Sequence, residues 1–190
     1  MIHSPSLYKL FSKCFYYPDR ELVNIISNGE VFAFLHGLQG IEKAKLNHLA
    51  VWIEDFKTED ELLEKLQVEY TRLFVTAFPE VIAPPYKSYY LENELYGKAS
   101  GEITEVYHEN EFKISSEIKE PADHLALELE FLYRISESGK PGSLEIEFIR
   151  KHILSWLEKF SVRVDEHASL PFYPFLVEKL NLFLSGKAAK

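Results

Sequence analysis

The chain has 190 residues, 46% of them apolar and 27% charged, which suits one globular domain with a sizeable core and argues against wholesale disorder. Thirty acidic against 21 basic side chains leave a net charge of −9, the wrong sign for a nucleic-acid binder and compatible with a basic partner or with solubility alone. A single cysteine, Cys14, excludes an internal disulfide and any cysteine-based zinc or iron–sulfur site within one chain.

Helical spacing dominates from the start. Ser4-Pro5 opens a helix carrying Leu7, Tyr8, Leu10, Phe11, Phe15 and Tyr16, which must stop near Tyr17-Pro18. The opening MIHSPSLYKLF lacks the basic start and long apolar run of a secretory signal, and no window reaches the roughly 18 apolar residues of a membrane span, so a soluble, cytoplasmic protein without an integral membrane segment is expected. Asp19 begins a second helix with Leu22, Ile25 and Ile26. A third apolar segment, Val31 to Leu38, ends at the glycines of GLQG, and Leu46, Leu49, Ala50, Ile53 and Phe56 form the face of a fourth. Thr58 and Glu61 have capping-box spacing ahead of Leu62, Leu63, Leu66, Tyr70, Leu73 and Phe74.

The pattern lapses over FPEVIAPPYKSYYL, residues 78–91, whose prolines forbid a regular helix. It resumes in a short helix over 102–111 after Gly101, and in longer ones over 121–137, about 143–160 and 171–185. FKISSEI (112–118) is the one candidate for strand alternation and reads as loop. These elements predict an all-α fold, a single bundle of about eight to ten helices over residues 1–190, with an irregular proline- and aromatic-rich loop at 75–90.

Little in the chain speaks of catalysis. GKAS at 97–100 ends like a phosphate loop but has no upstream glycine and no preceding strand. His124 and Glu128 share a helical face, yet a helical metal site needs a second such pair, so no metal is expected. His3, His36, His48 and His152 have no partner pattern and read as surface or boundary residues. In EPADHLALELEFL (120–132), Pro121 fits the first helical position and Asp123 the first turn, where its charge favours the helix dipole. Glu130 and Arg134 have the spacing of a surface pair. The helix also has a second, half-apolar face of His124, Leu127, Glu128 and Phe131, which either meets another helix or lines a groove.

Three stretches in register, Tyr70-Thr71-Arg72-Leu73-Phe74, Ala83-Pro84-Pro85-Tyr86-Lys87-Ser88-Tyr89-Tyr90 and Glu120-Pro121-Ala122-Asp123-His124-Leu125, resemble the motifs of the TorD/DmsD/NarJ family of chaperones for molybdenum-containing reductases. Trp156-Leu157 and Pro171-Phe172-Tyr173-Pro174-Phe175-Leu176 look like its last two helices, and the resemblance spans roughly residues 5–185. It implies a TorD-like helical fold, no catalysis and no cofactor. It also implies binding to the N-terminal twin-arginine leader and the apo form of a molybdoenzyme catalytic subunit, assisting cofactor insertion and delaying export. The implied peptide-binding residues are Tyr70, Leu73, Phe74, Pro85, Tyr86, Asp123 and His124. Tyrosine stands where some members have tryptophan in the first two motifs, which narrows the apolar contact. Glu128, with Asp123, Glu92 and Glu94, adds carboxylates suited to guanidinium groups, and Tyr86, Tyr89, Tyr90, Phe74 and Phe131 add apolar surface. The family resemblance allows a monomer or a helix-swapped dimer. The competing readings are a nucleotide-binding or nucleotide-hydrolysing accessory enzyme and a generic helical adaptor for a basic peptide.

Overall fold

A computed structural model describes residues 4–36, 42–76, 80–140 and 142–189. Its helices are α1 (Ser4–Phe15), α2 (Arg20–Ser27), α3 (Glu30–His36), α4 (Lys43–Glu54), α5 (Glu59–Tyr70), α6 (Lys87–Glu92), α7 (Lys98–Glu109), α8 (Leu125–Glu137), α9 (Gly142–Phe148), α10 (Leu154–His167) and α11 (Phe172–Ala188). One wide π turn, Thr71–Val75, prolongs α5, and another, Ile149–Ile153, joins α9 to α10 into one run. No strand occurs among the described residues, so the fold is all-α, as the periodicity predicts. His3, the expected end of the third segment at Leu38, the glycines at 37 and 40 and residues 77–79 lie outside the described residues.

Local chemistry sets most boundaries. Asp19 caps α2, its carboxylate accepting from the Leu22 N–H at 2.9 Å. Thr58 caps α5, its hydroxyl accepting from the Glu61 N–H at 3.2 Å. The reciprocal bond of a capping box lands one residue early, because the Glu61 carboxylate takes the Lys57 N–H at 2.9 Å instead of that of Thr58.

α8 lies at the centre. Leu125, Ala126, Leu127, Leu129, Phe131 and Leu132 are all without exposed surface, so the half-apolar second face meets other helices and does not line a groove. Each such large side chain contributes on the order of 1.5–3 kcal/mol by leaving water. α1 runs along α8, and the Ser12 hydroxyl donates to the Ala126 carbonyl at 2.8 Å inside that seam. α11 closes the far side, with Phe183 against the rings of Tyr8 and Phe11.

Four expected boundaries move. α10 runs on to His167, past the expected end near 160. α7 begins at Lys98, ahead of Gly101. The irregular segment gives way to α6 already at Lys87. α8 begins at Leu125, so Pro121 is not its first residue and Asp123 is not in its first turn. His124 holds an extended backbone (φ −70°, ψ 132°) that ends any helix running through from 121.

Candidate functional site

The proline-rich segment has few donors of its own, since Pro84 and Pro85 lack an N–H, and it is fastened largely through its carbonyls and side chains. The Ala83 N–H donates to the Leu73 carbonyl at 2.8 Å, tying the segment to the first π turn. Tyr86 and His124 then form an isolated antiparallel bridge. In it the Leu125 N–H donates to the Pro85 carbonyl at 2.9 Å and the Lys87 N–H to the Asp123 carbonyl at 3.2 Å. The Asp123 carboxylate accepts from the Ser88 N–H at 2.7 Å, so it caps α6, not its own helix.

His124 caps α8. Its Nδ1 accepts from the Ala126 N–H at 3.1 Å, which leaves the ring proton on Nε2. Complete burial pushes its pKa down to about 3, so the imidazole stays neutral. Its ring lies parallel to that of Tyr16 at 6.1 Å and meets Tyr86 edge-on at 5.1 Å.

This aromatic sandwich carries two carboxylates. The Tyr86 hydroxyl donates to Glu120 at 2.5 Å and the Tyr16 hydroxyl to Glu130 at 3.2 Å. Both glutamates are half-buried, and among the described residues neither has a lysine or arginine within ion-pair distance. Burial, aided by these carboxylates, raises the pKa of both hydroxyls, which therefore remain donors. Tyr96, 69% exposed and with a left-handed φ of 58°, stands close enough to Tyr86 to perturb it, and Tyr17 exposes half its surface beside Tyr70.

Behind the surface lies a polar cluster. The Lys87 ammonium, 3% exposed, is 3.1 Å from His152 Nδ1 and 4.0 Å from Glu102. The Ser88 hydroxyl, the second Asp123 oxygen, both Glu128 oxygens and the Trp156 indole N–H are buried without a hydrogen-bond partner in the protein. Trp156 faces Glu128 without closing a hydrogen bond. Burial, then the neighbouring charge of Asp123, holds the Glu128 pKa well above the ordinary carboxylate range, while burial lowers that of Lys87.

The expected binding residues thus converge on one region but at different depths. Tyr86 is half-exposed. Pro85, Asp123, His124 and Glu128 are buried behind it. Tyr70 is buried with its hydroxyl on the Phe15 carbonyl at 3.1 Å, Leu73 is enclosed, and Phe74 packs edge-on against Tyr173 at 4.9 Å. Asp123 and Glu128 therefore do not offer surface carboxylates. Glu92 is also engaged, accepting the Ala99 N–H at 2.9 Å at the start of α7, while Glu94 is exposed. Of the expected apolar surface, Phe74 and Phe131 are in the core, Tyr90 stacks on Trp156 and Tyr89 accepts from Arg163. His152 is buried, contrary to its reading as a surface or boundary residue. Tyr16, Lys87, Glu120, Glu130 and His152 are participants that sequence reasoning missed. Glu130 pairs with Tyr16 and not with Arg134, which instead lies over the Tyr133 ring.

Residues 36–162 match the family model described as nitrate reductase delta subunit, a span that contains all three motifs. The chain is 32% identical over 126 residues to the chaperone protein TorD of Shewanella sp. (strain MR-4), covering 63% of this chain and 59% of that one. It is 26% identical over 183 residues to TorD of Shewanella pealeana, covering 90% and 81%. In the first three Shewanella relatives the match spans only 53–59% of their own length. A crystal structure from Archaeoglobus fulgidus, described as a candidate redox enzyme maturation protein, is similar over 97% of this chain and 96% of that one, at 31% identity and a TM-score of 0.66. With most of its length inside the family model and these relatives around it, the chain belongs to the nitrate reductase delta subunit family, the TorD/NarJ family.

Proposed function

We propose that this protein is a system-specific chaperone for a redox enzyme. In this reading it binds the N-terminal twin-arginine leader and the apo form of a molybdenum-containing catalytic subunit in the cytoplasm, assists cofactor insertion and delays export. Relatives named as chaperones and as a maturation protein support the general role. The observation that carries the leader reading is the pair Glu120 and Glu130, two half-buried carboxylates that meet no lysine or arginine among the described residues, set beside the Tyr16 and Tyr86 rings. A guanidinium satisfies such a carboxylate with two parallel N–H bonds and stacks on the ring beside it. Two adjacent arginines offer one guanidinium to each carboxylate.

In this proposal Tyr86 touches the leader together with Glu120, Glu130 and Tyr16. Tyr70, Leu73, Phe74, Pro85, Asp123, His124 and Glu128 support that surface from behind. A nucleotide role finds less support: the N-terminus of α7 in GKAS, the position a phosphate would occupy, already holds the Glu92 carboxylate. The test is calorimetry with a leader peptide and its Lys-Lys counterpart. Tight binding of the arginine form alone supports the reading; equal binding of both favours a generic adaptor for basic peptides.

A further inference from the structure

The buried cluster behind the site has a chemistry that peptide binding does not require. Two donors (Ser88 hydroxyl, Trp156 indole N–H) and three carboxylate oxygens (the second of Asp123, both of Glu128) sit buried beside the Lys87 ammonium without closing their hydrogen bonds, the condition that ordered internal water satisfies. We propose that Glu128 is a proton-operated latch for the surface carrying Tyr86 and Glu120: while Glu128 holds its proton the 80–86 segment stays bridged to α8, and loss of the proton releases it.

The geometry supplies the reason. Glu128 is one helical turn beyond His124, its N–H bonded to the His124 carbonyl at 3.0 Å, so it is rigidly joined to the bridge. The groups that face it are Asp123 from the turn before α8, Lys87 from α6, Trp156 from α10 and Tyr107 from α7. Glu102 of α7, and His152 and Lys151 of the second π turn, act on it through Lys87. Lys87 is the buried ammonium of the set, whereas Lys151 is exposed. With Glu128 neutral, Lys87 faces Asp123 and, toward the surface, Glu102. With Glu128 ionised, two buried carboxylates share that ammonium, and Glu102 already claims part of it.

Relief comes at the weakest fastening. The first turns of α8, Leu125 to Leu129, are buried on every side, but α6 is six residues long and is held to the start of α8 by the Asp123 cap and the two bridge bonds. Opening there brings water to both carboxylates, while the contacts of α6 with α10, Tyr89 to Arg163 and Tyr90 on Trp156, hold its other side. Burial and the charge of Asp123 keep the proton on Glu128 beyond the ordinary carboxylate range, so the latch is closed on the acid side and opens as pH rises.

That the latched surface is the leader seat rests on the reading above; the latch itself does not. The test is amide hydrogen exchange of residues 80–92 between about pH 5 and about pH 9, corrected for the intrinsic rate, in the wild type and in Glu128→Gln, which mimics the protonated acid. The expected result is protection that falls with rising pH in the wild type and stays level in the variant, with α1 and α11 unchanged in both. The same profile in both proteins overturns the latch. Should the variant not fold, carboxyl carbon-13 titration of Glu128 in the wild type decides, and an ordinary glutamate midpoint overturns it. A leader peptide added across the same pH series separates the two ideas: a pH-dependent exchange profile with no peptide binding at any pH keeps the latch and removes the seat.

Discussion

The Asp123 carboxylate accepts the Ser88 N–H at 2.7 Å, so a residue that precedes α8 in the chain caps α6 instead. This bond gives Asp123 a structural task before any ligand arrives. It also explains how a six-residue helix holds its place after two prolines.

Asp123→Ala should therefore destabilise the fold. Loss of a cap removes about 0.5–2 kcal/mol, and the Ser88 N–H left without its acceptor raises the figure toward about 3 kcal/mol. Asp123→Asn keeps an acceptor oxygen and should lose less. Urea unfolding of the three proteins checks the order, and equal losses in the two variants would show that the charge, not the cap, is what matters.

Glu120→Gln and Glu130→Gln should weaken binding of a twin-arginine peptide while leaving the unfolding midpoint within a degree or so. A charge-assisted hydrogen bond contributes about 1.5–3 kcal/mol, so each change should lower affinity at least about tenfold. Peptide titration beside a thermal melt tests both halves, and unchanged affinity removes these two residues from the site.

Stability should fall toward both ends of the pH scale. On the alkaline side the folded Glu128 binds a proton that the unfolded chain has released, so stability declines as pH rises above the ordinary glutamate value of 4.5 toward the raised folded one. Glu128→Gln should melt higher than the wild type near about pH 8 and with it near about pH 4, where both states are protonated. On the acid side His124, at about 3, and His152, at about 4, are neutral in the fold and charged when unfolded, so stability declines as pH falls below 6.5. Melting curves across pH check each limb, and a flat alkaline limb in the wild type contradicts the first.

Gly97→Ala should disturb the start of α7, because an added Cβ meets the Glu92 carboxylate, and comes within 3.0 Å of Glu94. The Glu92 side chain is flexible and must move aside, which weakens its bond to the Ala99 N–H, and a loss of about 1 kcal/mol is expected. Glu92→Gln, which keeps the acceptor, should be milder; circular-dichroism melts of the two variants give the comparison.

The helical fold was legible because its signals are local: a 3.6-residue apolar period, Asp19 and Thr58 at caps, and prolines between elements. The start of α8 was not, since Pro121 and Asp123 have every local attribute of a first turn. What overrides them is the pairing of His124 with Tyr86, a contact between segments that no local pattern announces. The site divides the same way. Tyr86 and Asp123 could be singled out from their motifs, but their different depths could not. Glu130 had a suitable partner four residues on, and only the packing of α1 against α8 brings it to Tyr16 instead. Lys87 looked like any lysine beside tyrosines until α6 turned it inward.

The Tyr86–His124 bridge has a consequence for how such chains vary. Two segments far apart in sequence form one joint, so a change in the backbone of either must be met in the other. A chimera that takes only the 83–90 segment from a relative would carry a mismatched joint, whereas one that takes 83–90 and 120–125 together would carry both of its halves. Inheritance should treat these two stretches as a single unit.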